Sequence, residues 1–414
     1  MTKEKYEVVI ACGGMGTRLR EITKSLPKPL FPINGKSTLE RCVEQLSNYS
    51  FKNILITTGF KGDLFEKSID ELKNKYLVNI DIFMERTPLG ECGALWDVKE
   101  KLSDSFIFIN GDIIFSIDFH RLNIFHERLC SELTLVTHTS DHPRDSDLVS
   151  AANGTLVDEI FFKNSKKNKY SYAYLGNTGI FILKKFLLDK IEAPNENDEK
   201  SVFHHIVKKI FGSNIRIYSY NSTEYIKDMG TPNRFKIVEQ DLLENKVESK
   251  NYKNKQNTLF LDRDNTIIKC ELGRYILDEN DIEYHNENII KISQIAKKYD
   301  FVCMVTNQPS IAMGKLSIKR LDKINSIIIQ YCFSKGLKID VVTFCPHHPH
   351  KGFNNEIKVL KTDCFCRKPN PGLIIEQAFF RNINLEKSLM IGDTDKDMKA
   401  AKNAGCKFKN VKNL

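Results

Sequence analysis

The chain has 414 residues, a net charge of +9, 41% hydrophobic and 28% charged residues. That length exceeds one ordinary domain and points to two or three, and the composition is that of a globular protein rather than a disordered or fibrous one. The longest apolar runs are strand-sized and the stretch from Met1 to Glu7 leads into a strand without an apolar signal region, so no membrane span and a cytoplasmic location are expected.

Eleven cysteines make an odd number in a chain without a secretion signal, so reduced thiols are expected. Cys12, Cys42, Cys92, Cys130, Cys270, Cys303, Cys332 and Cys406 are scattered and read as small apolar residues, whereas Cys345, Cys364 and Cys366 gather near histidines. The positive excess has no aromatic-interleaved basic stripe and no basic amphipathic helix behind it. It favours anionic small molecules over nucleic acid or a membrane surface.

In chain order, Val8–Ala11, Asn53–Thr57, Asn79–Phe83 and Phe106–Ile109 have the apolar, β-rich character of strands. Thr38–Asn48 and Leu64–Lys73 between them have helical spacing, and this alternation predicts a parallel α/β sheet. Glu132–Val136 and Gly179–Leu183 read as further strands, with helices near Val202–Ile210 and over Asn233–Leu243. Residues 244–257 lose the apolar period and read as a polar linker. From Thr258 a second series begins, with strands at Leu259–Leu261, Phe301–Val305, Val341–Phe344 and Leu389–Ile391. The expected architecture is two Rossmann-like α/β domains with mostly parallel sheets, over 1–243 and 258–414.

The first strand runs into Gly13-Gly14-Met15-Gly16-Thr17-Arg18-Leu19, followed by Pro27-Lys28-Pro29-Leu30. Gly13, Gly14, Gly16 and Thr17 bring backbone amides close to a polyphosphate, and Arg18 and Lys28 place positive charge where a phosphoryl transition state gathers negative charge. This ordered pattern resembles the sugar-1-phosphate nucleotidyltransferase family. Further matches are Pro88-Leu89-Gly90 with Gly93-Ala94-Leu95, Asn110-Gly111-Asp112, Asn177-Thr178-Gly179 and Asp228-Met229-Gly230-Thr231-Pro232. The resemblance implies a base- and nucleotide-reading loop at Pro88 and Gly90, sugar contacts at Lys163 and Asn177, and Mg²⁺ held by Asp112 and Asp228. Two carboxylates can hold that ion against an α-phosphate while a sugar phosphate attacks. The chain departs from the family at Arg20-Glu21-Ile22, at Phe162-Lys163-Asn164 and at Glu91-Cys92.

Asp262-Arg263-Asp264 follows a hydrophobic strand, where α/β folds place ligands. Asp262 can attack phosphorus, and Asp264 can protonate the leaving alcohol and then activate water. Asp393 can complete a Mg²⁺ site with Asp262 and Asp264; Thr306 and Asn307 can donate to phosphoryl oxygens; Lys368 can neutralise nucleophile and phosphate. Cys345, His347, Cys364 and Cys366 suit tetrahedral Zn²⁺, with His348 and His350 as adjacent rivals to His347. The order resembles the haloacid dehalogenase superfamily, and within it the heptose-bisphosphate and histidinol-phosphate phosphatases. In that family the zinc is structural and pins the loop presenting Arg367, a candidate for a second substrate phosphate, and Lys368. Asn265 stands where the family carries glycine, and asparagine tolerates the left-handed backbone such a turn needs.

Two such sets in one chain predict two steps of one pathway: removal of the 7-phosphate from a heptose 1,7-bisphosphate, then nucleotidyl transfer to the heptose 1-phosphate. Resemblance to bacterial heptose activation implies GTP as donor. The competing expectations are a different nucleotidyltransferase fused to a histidinol-phosphate or other sugar-phosphate phosphatase, and one domain retained as a regulatory module.

Overall fold

The computed structural model describes residues 5–14, 19, 23, 26–59, 61–141, 143, 145–151, 154–163, 174–271 and 273–414. Its contacts divide the chain into two units, Met1–Thr137 with Asn177–Asn251, and His138–Gly176 with Tyr252–Leu414. This division differs from the expected one, because the segment His138–Gly176 groups with the C-terminal part. No helix among the described residues is long and apolar enough to cross a membrane.

In the first unit the strand Tyr6–Ala11 lies between Asn53–Thr58 and Leu102–Asn110, parallel to both, and Asn79–Met84 adds a further parallel strand beside Asn53–Thr58. Val8, Ile10, Ile54, Ile56, Ile107 and Ile109 are buried in one cluster with Leu39, Val43, Leu46, Phe65 and Ile69 of the two crossover helices, Thr38–Asn48 and Asp63–Tyr76. Coverage by helices is what lets parallel strands be apolar along their length. The longer helix-start signal is local: the Ser37 side chain accepts from the Glu40 amide and caps Thr38–Asn48. The sheet is not wholly parallel, since Leu175–Lys184 pairs antiparallel with Leu102–Asn110. A separate antiparallel pair, Ile113–Ser116 with Tyr225–Asp228, closes the unit around its glycine-rich edge.

The second unit holds a five-stranded sheet in the order Val341–Cys345, Phe301–Asn307, Thr258–Leu261, Leu389–Gly392, Lys407–Asn410, parallel throughout. The earliest of these strands is central, and the order reverses between it and Leu389–Gly392. That reversal opens a crevice beyond the carboxyl ends of the strands, the usual place for a ligand in such sheets.

Residues 244–257 are not the solvated linker their polarity suggests. Lys246–Ser249 is helical, and Val247, Asn251, Tyr252 and Gln256 are buried. Val247 joins a cluster with Phe235 and Val238, while Tyr252 carbonyl oxygen accepts from Asn382 Nδ2 at 2.7 Å and the Gln256 amide donates to Asn382 O at 3.0 Å. Two isolated apolar residues carry no period, so their burial is decided by partners distant in sequence. Tyr252→Ala is expected to cost about 3–5 kcal/mol, the range for truncating a buried aromatic, read as a lowered urea midpoint; an unchanged midpoint would mark the stretch as a solvated linker after all.

Candidate active sites and metal centre

At the carboxyl edge of the first sheet, the chain leaves strand Tyr6–Ala11 through Cys12, Gly13 and Gly14. Met15, Gly16, Thr17 and Arg18, and with them three expected nucleotide or catalytic contacts, lie outside the described residues, as do Arg20, Glu21 and Ile22. Lys28 is buried, and its Nζ lies 2.7 Å from Asp112 Oδ2. Asp228 is brought alongside by the antiparallel register that sets it opposite Ile113, with the Met229 amide donating to Asp112 O at 3.2 Å. Arg234 Nη1 reaches both oxygens of Asp228 at 2.8 and 2.7 Å, and the Gly230 amide donates to Oδ1 at 2.8 Å. Burial alone would push the Asp228 carboxyl up; these donors and the nearby Lys28 outweigh it and hold it below the usual carboxylate range. The structure thus joins Lys28, Asp112 and Asp228, and each carboxylate already has a cation beside it.

The loop at Pro88–Gly90 is held from outside. Lys200 Nζ donates to Pro88 O at 3.2 Å, the Cys92 amide to Lys200 O at 3.0 Å, and the Val202 amide to Glu91 Oε1 at 3.1 Å. Gly90 has φ +73°, and a Cβ there would stand 2.3 Å from Lys200 Cβ, so only glycine fits. Glu91, a departure from the family pattern, is therefore a loop anchor. Asn177 Oδ1 accepts from the Gly179 amide at 3.2 Å. Lys163 is exposed, with its amide on Asp147 Oδ1 at 2.9 Å, and belongs to the segment grouped with the second unit; Asn164 lies outside the described residues.

Glu85 is a residue that sequence reasoning passed over. Its Oε2 accepts from the Leu89 amide at 3.0 Å, and Gly13 and Gly59 lie so close that a Cβ on either would be 3.3 Å from the carboxylate. Oε1 is shielded from water and has no hydrogen-bond partner among the described residues, and burial pushes the carboxyl up. A single glutamate after a strand carries no motif, so nothing short of the fold reveals it.

In the second unit Asp262 follows the central strand, and its amide donates to Ile391 O at 2.9 Å. Lys368 is buried, with Nζ at 2.6 Å from Asp262 Oδ1, 2.6 Å from Asp397 Oδ1 and 2.9 Å from Val305 O. Carboxylate oxygens of Asp262, Asp393 and Asp397 lie within 4.8 Å of one another. Burial, against the pull of Lys368, pushes Asp262 up to about 7, and burial with Asp397 raises Asp393 as well. One ammonium facing three carboxylates leaves negative charge uncompensated, which an oxygen-seeking divalent cation such as Mg²⁺ would neutralise.

The carboxylate group has Asp397, where the expected set had Asp264, beside Asp262 and Asp393. Asp264 is outside the group: Arg263 and Gln308 hold it. Asp397 takes the place, because its Oδ2 caps the helix Asp395–Ala404, accepting from the Thr394 amide at 3.1 Å and hydroxyl at 2.6 Å, and its Oδ1 then faces Lys368. The run from Asp393 to Asp397 contains three aspartates, and only the cap decides which points inward. The Asn307 side chain supports Lys368: its Nδ2 donates to Lys368 O and its Oδ1 accepts from the Lys368 amide, both at 3.0 Å. Thr306 Oγ1 is buried and accepts from Gln308 Nε2 at 2.9 Å, so its own O–H can donate elsewhere. Asn265 adopts φ +57°, the left-handed position expected of it.

Cys345 ends its strand, and its Sγ lies 3.5 Å from Cys364 Sγ and 3.3 Å from Cys366 Sγ; Cys364 and Cys366 are 3.3 Å apart. His347 Nδ1 completes the set at 3.6 Å from Cys345 and 3.2 Å from Cys366. A tetrahedral ion with Zn–S near 2.3 Å needs ligand separations of about 3.8 Å, so the four atoms fit one. His348 turns instead to His350 O at 3.2 Å. Arg367 Nη1 donates to His347 O at 3.1 Å, which ties the metal-binding loop to the residue next to Lys368.

Residues 7–245 match the nucleotidyl transferase family and residues 365–413 the HAD-hydrolase-like family. The mannose-1-phosphate guanyltransferase of Yarrowia lipolytica is 28% identical over 233 residues, 55% of this chain and 61% of that protein, so the chain spans less than two thirds of this relative. Among solved structures, a HAD-like phosphatase of Mesorhizobium loti is 30% identical, with 37% of this chain and 70% of that one covered at a TM-score of 0.33. The D,D-heptose 1,7-bisphosphate phosphatase of B. bronchiseptica is 25% identical, with 37% and 78% covered at a TM-score of 0.32. With more than half its length in the first match, the chain belongs to the nucleotidyl transferase family and carries a HAD-like hydrolase domain behind that part.

Proposed function

We propose that the chain carries out two consecutive steps on one sugar: release of the 7-phosphate from D-glycero-D-manno-heptose 1,7-bisphosphate, then guanylyl transfer from GTP to the heptose 1-phosphate, giving GDP-heptose and pyrophosphate. The observation that carries this reading is the presence of both constellations in one chain, Lys28 with Asp112 and Asp228, and Asp262 with Lys368, Asp393 and Asp397. A sugar bisphosphate that loses one phosphate becomes the acceptor a nucleotidyltransferase needs, so the pairing has a chemical logic. The choice of heptose rests on the resemblance of the Asp262–Asp264 and Cys345–Cys366 regions.

In the hydrolytic step, Asp262 attacks phosphorus and the ester P–O bond breaks. The departing electron pair stays on the sugar oxygen, which takes a proton from Asp264. Water then attacks the aspartyl-phosphate and gives its proton to Asp264, and the P–O bond to Asp262 breaks to free phosphate. Mg²⁺ held by Asp262, Asp393 and Asp397 would neutralise charge on the phosphoryl oxygens. Lys368 holds Asp262 in place, and Asn307 holds Lys368. In the transfer step a sugar-phosphate oxygen attacks the α-phosphorus as the bond to the β-phosphate oxygen breaks, and Lys28 balances the charge that develops.

Guanine is favoured by Glu85 and by the guanyltransferase relatives. Guanine alone presents two adjacent donors, N1–H and the N2 amino group, and a carboxylate with a free oxygen is their natural acceptor. Pyrophosphate release with heptose 1-phosphate or mannose 1-phosphate is expected to be fastest with GTP, and slower with ITP, which lacks the N2 donor. Glu85→Gln should cost GTP roughly tenfold or more, as for one lost charged hydrogen bond. UTP, dTTP or ATP outpacing GTP would remove the guanylyl reading and leave the transferase standing.

Asp262→Asn should abolish phosphate release from heptose 1,7-bisphosphate while transfer to heptose 1-phosphate continues. Faster hydrolysis of histidinol phosphate than of the heptose bisphosphate would defeat the substrate assignment but not the chemistry. For the metal centre, elemental analysis of purified protein should find one zinc per chain, lost in His347→Ala and kept in His348→Ala; the reverse pattern would reassign the ligand.

A further inference from the structure

Arg263, the residue between the two aspartates, is 1% exposed and among the largest fully buried side chains of the chain. Its Nε and Nη2 donate to Asp264 Oδ1 at 3.1 and 2.9 Å, and Nη2 also lies 3.3 Å from Oδ2. On the far side Nη1 donates to Asn325 Oδ1 at 3.2 Å, and Asn325 is itself buried on the helix Ile318–Ser334. Gln308 Nε2 donates to the other Asp264 oxygen at 3.1 Å. The Asp264 side chain remains 27% exposed.

A buried guanidinium is a costly way to fill a core, because an apolar side chain of similar volume packs there without a desolvation cost. Among the described residues it forms an ion pair with Asp264, a group with mechanistic work to do. The two aspartates therefore have separate cations: Lys368 takes Asp262, and Arg263 takes Asp264. Without Arg263, Asp264 sits on a short turn beside three carboxylates and an ammonium, and the ammonium or a divalent ion would draw it inward. Planar two-point pairing fixes direction as well as distance, which a single point charge does not.

We propose that Arg263, anchored by Asn325, is a positioning residue that keeps Asp264 out of the Asp262–Asp393–Asp397 cluster and aims it at the leaving-group oxygen. This inference rests on the aspartyl-phosphate reading above and acts through Asp264 alone. Its signature is a dependence on the leaving group. An alkoxide must be protonated as it departs, phenolate gains less from the proton, and p-nitrophenolate leaves without it.

The test measures kcat/KM for heptose 1,7-bisphosphate, phenyl phosphate and p-nitrophenyl phosphate, because kcat/KM reports the step in which the ester bond breaks. Arg263→Met is expected to lose roughly 10²-fold on the heptose ester, the lower end of what a positioned proton-transfer group supplies. The loss on phenyl phosphate should be smaller, and on p-nitrophenyl phosphate about tenfold or less. Arg263→Lys should recover part of the loss with the same ordering, and Asn325→Ala should show that ordering more weakly. If Arg263→Met does not fold, the Arg263→Lys and Asn325→Ala ratios decide: equal factors across the three esters, or no loss at all, would overturn the proposal. Activity surviving in Asp262→Asn would instead sink the underlying mechanism, so the two failures are distinguishable.

Discussion

A single buried ammonium organises the second unit. Lys368 Nζ binds Asp262, Asp397 and the carbonyl of Val305 at once, and so ties together two neighbouring strands and the first turn of a helix. Burial alone would pull this lysine's pKa down, yet the two carboxylates outweigh it and hold the ammonium above its usual range. The stability of that arrangement is conditional, since three carboxylates exceed what one lysine can balance. A carboxylate cluster that remains short of positive charge favours a cation beside it. The same lysine is fixed through its backbone by Asn307 and through its neighbour Arg367 by the Cys345–His347–Cys364–Cys366 loop.

The first unit solves a different electrostatic problem. Lys28 compensates Asp112, and Arg234 compensates Asp228, so the resting edge is close to neutral. Among its buried polar atoms without a partner is Glu85 Oε1, beside Gly13. An unpaired buried acceptor is expensive to keep, and its place between the glycine-rich loop and the Leu89 amide makes it an acceptor for something that enters there. One unit thus carries a deficit of positive charge, the other a deficit of hydrogen-bond donors.

Much of this was legible in the residues. Strand–helix alternation depends on local apolar periodicity, so Thr38–Asn48 and the strands after Tyr6 and Thr258 were readable, and the spacing of Asp262, Lys368 and Asp393 marked the crevice before any coordinates. What was not readable shares one cause. Asp397 meets Lys368, Glu85 meets Gly13 and Gly59, and Tyr252 meets Asn382, partners distant along the chain that no local pattern around these residues reveals.

By itself the sequence determined the chemistry available: which carboxylates, thiols, glycines and lysines stand at strand ends, and in what order, because those choices are written in residue type and short-range spacing. Only the tertiary structure decided which of them meet. It exchanged Asp264 for Asp397 in the carboxylate group, selected His347 over His348 beside the cysteines, and gave Arg263 to Asp264. Those outcomes turn on helix caps, strand register and side-chain burial, where differences of an ångström in three dimensions separate a ligand from its neighbour.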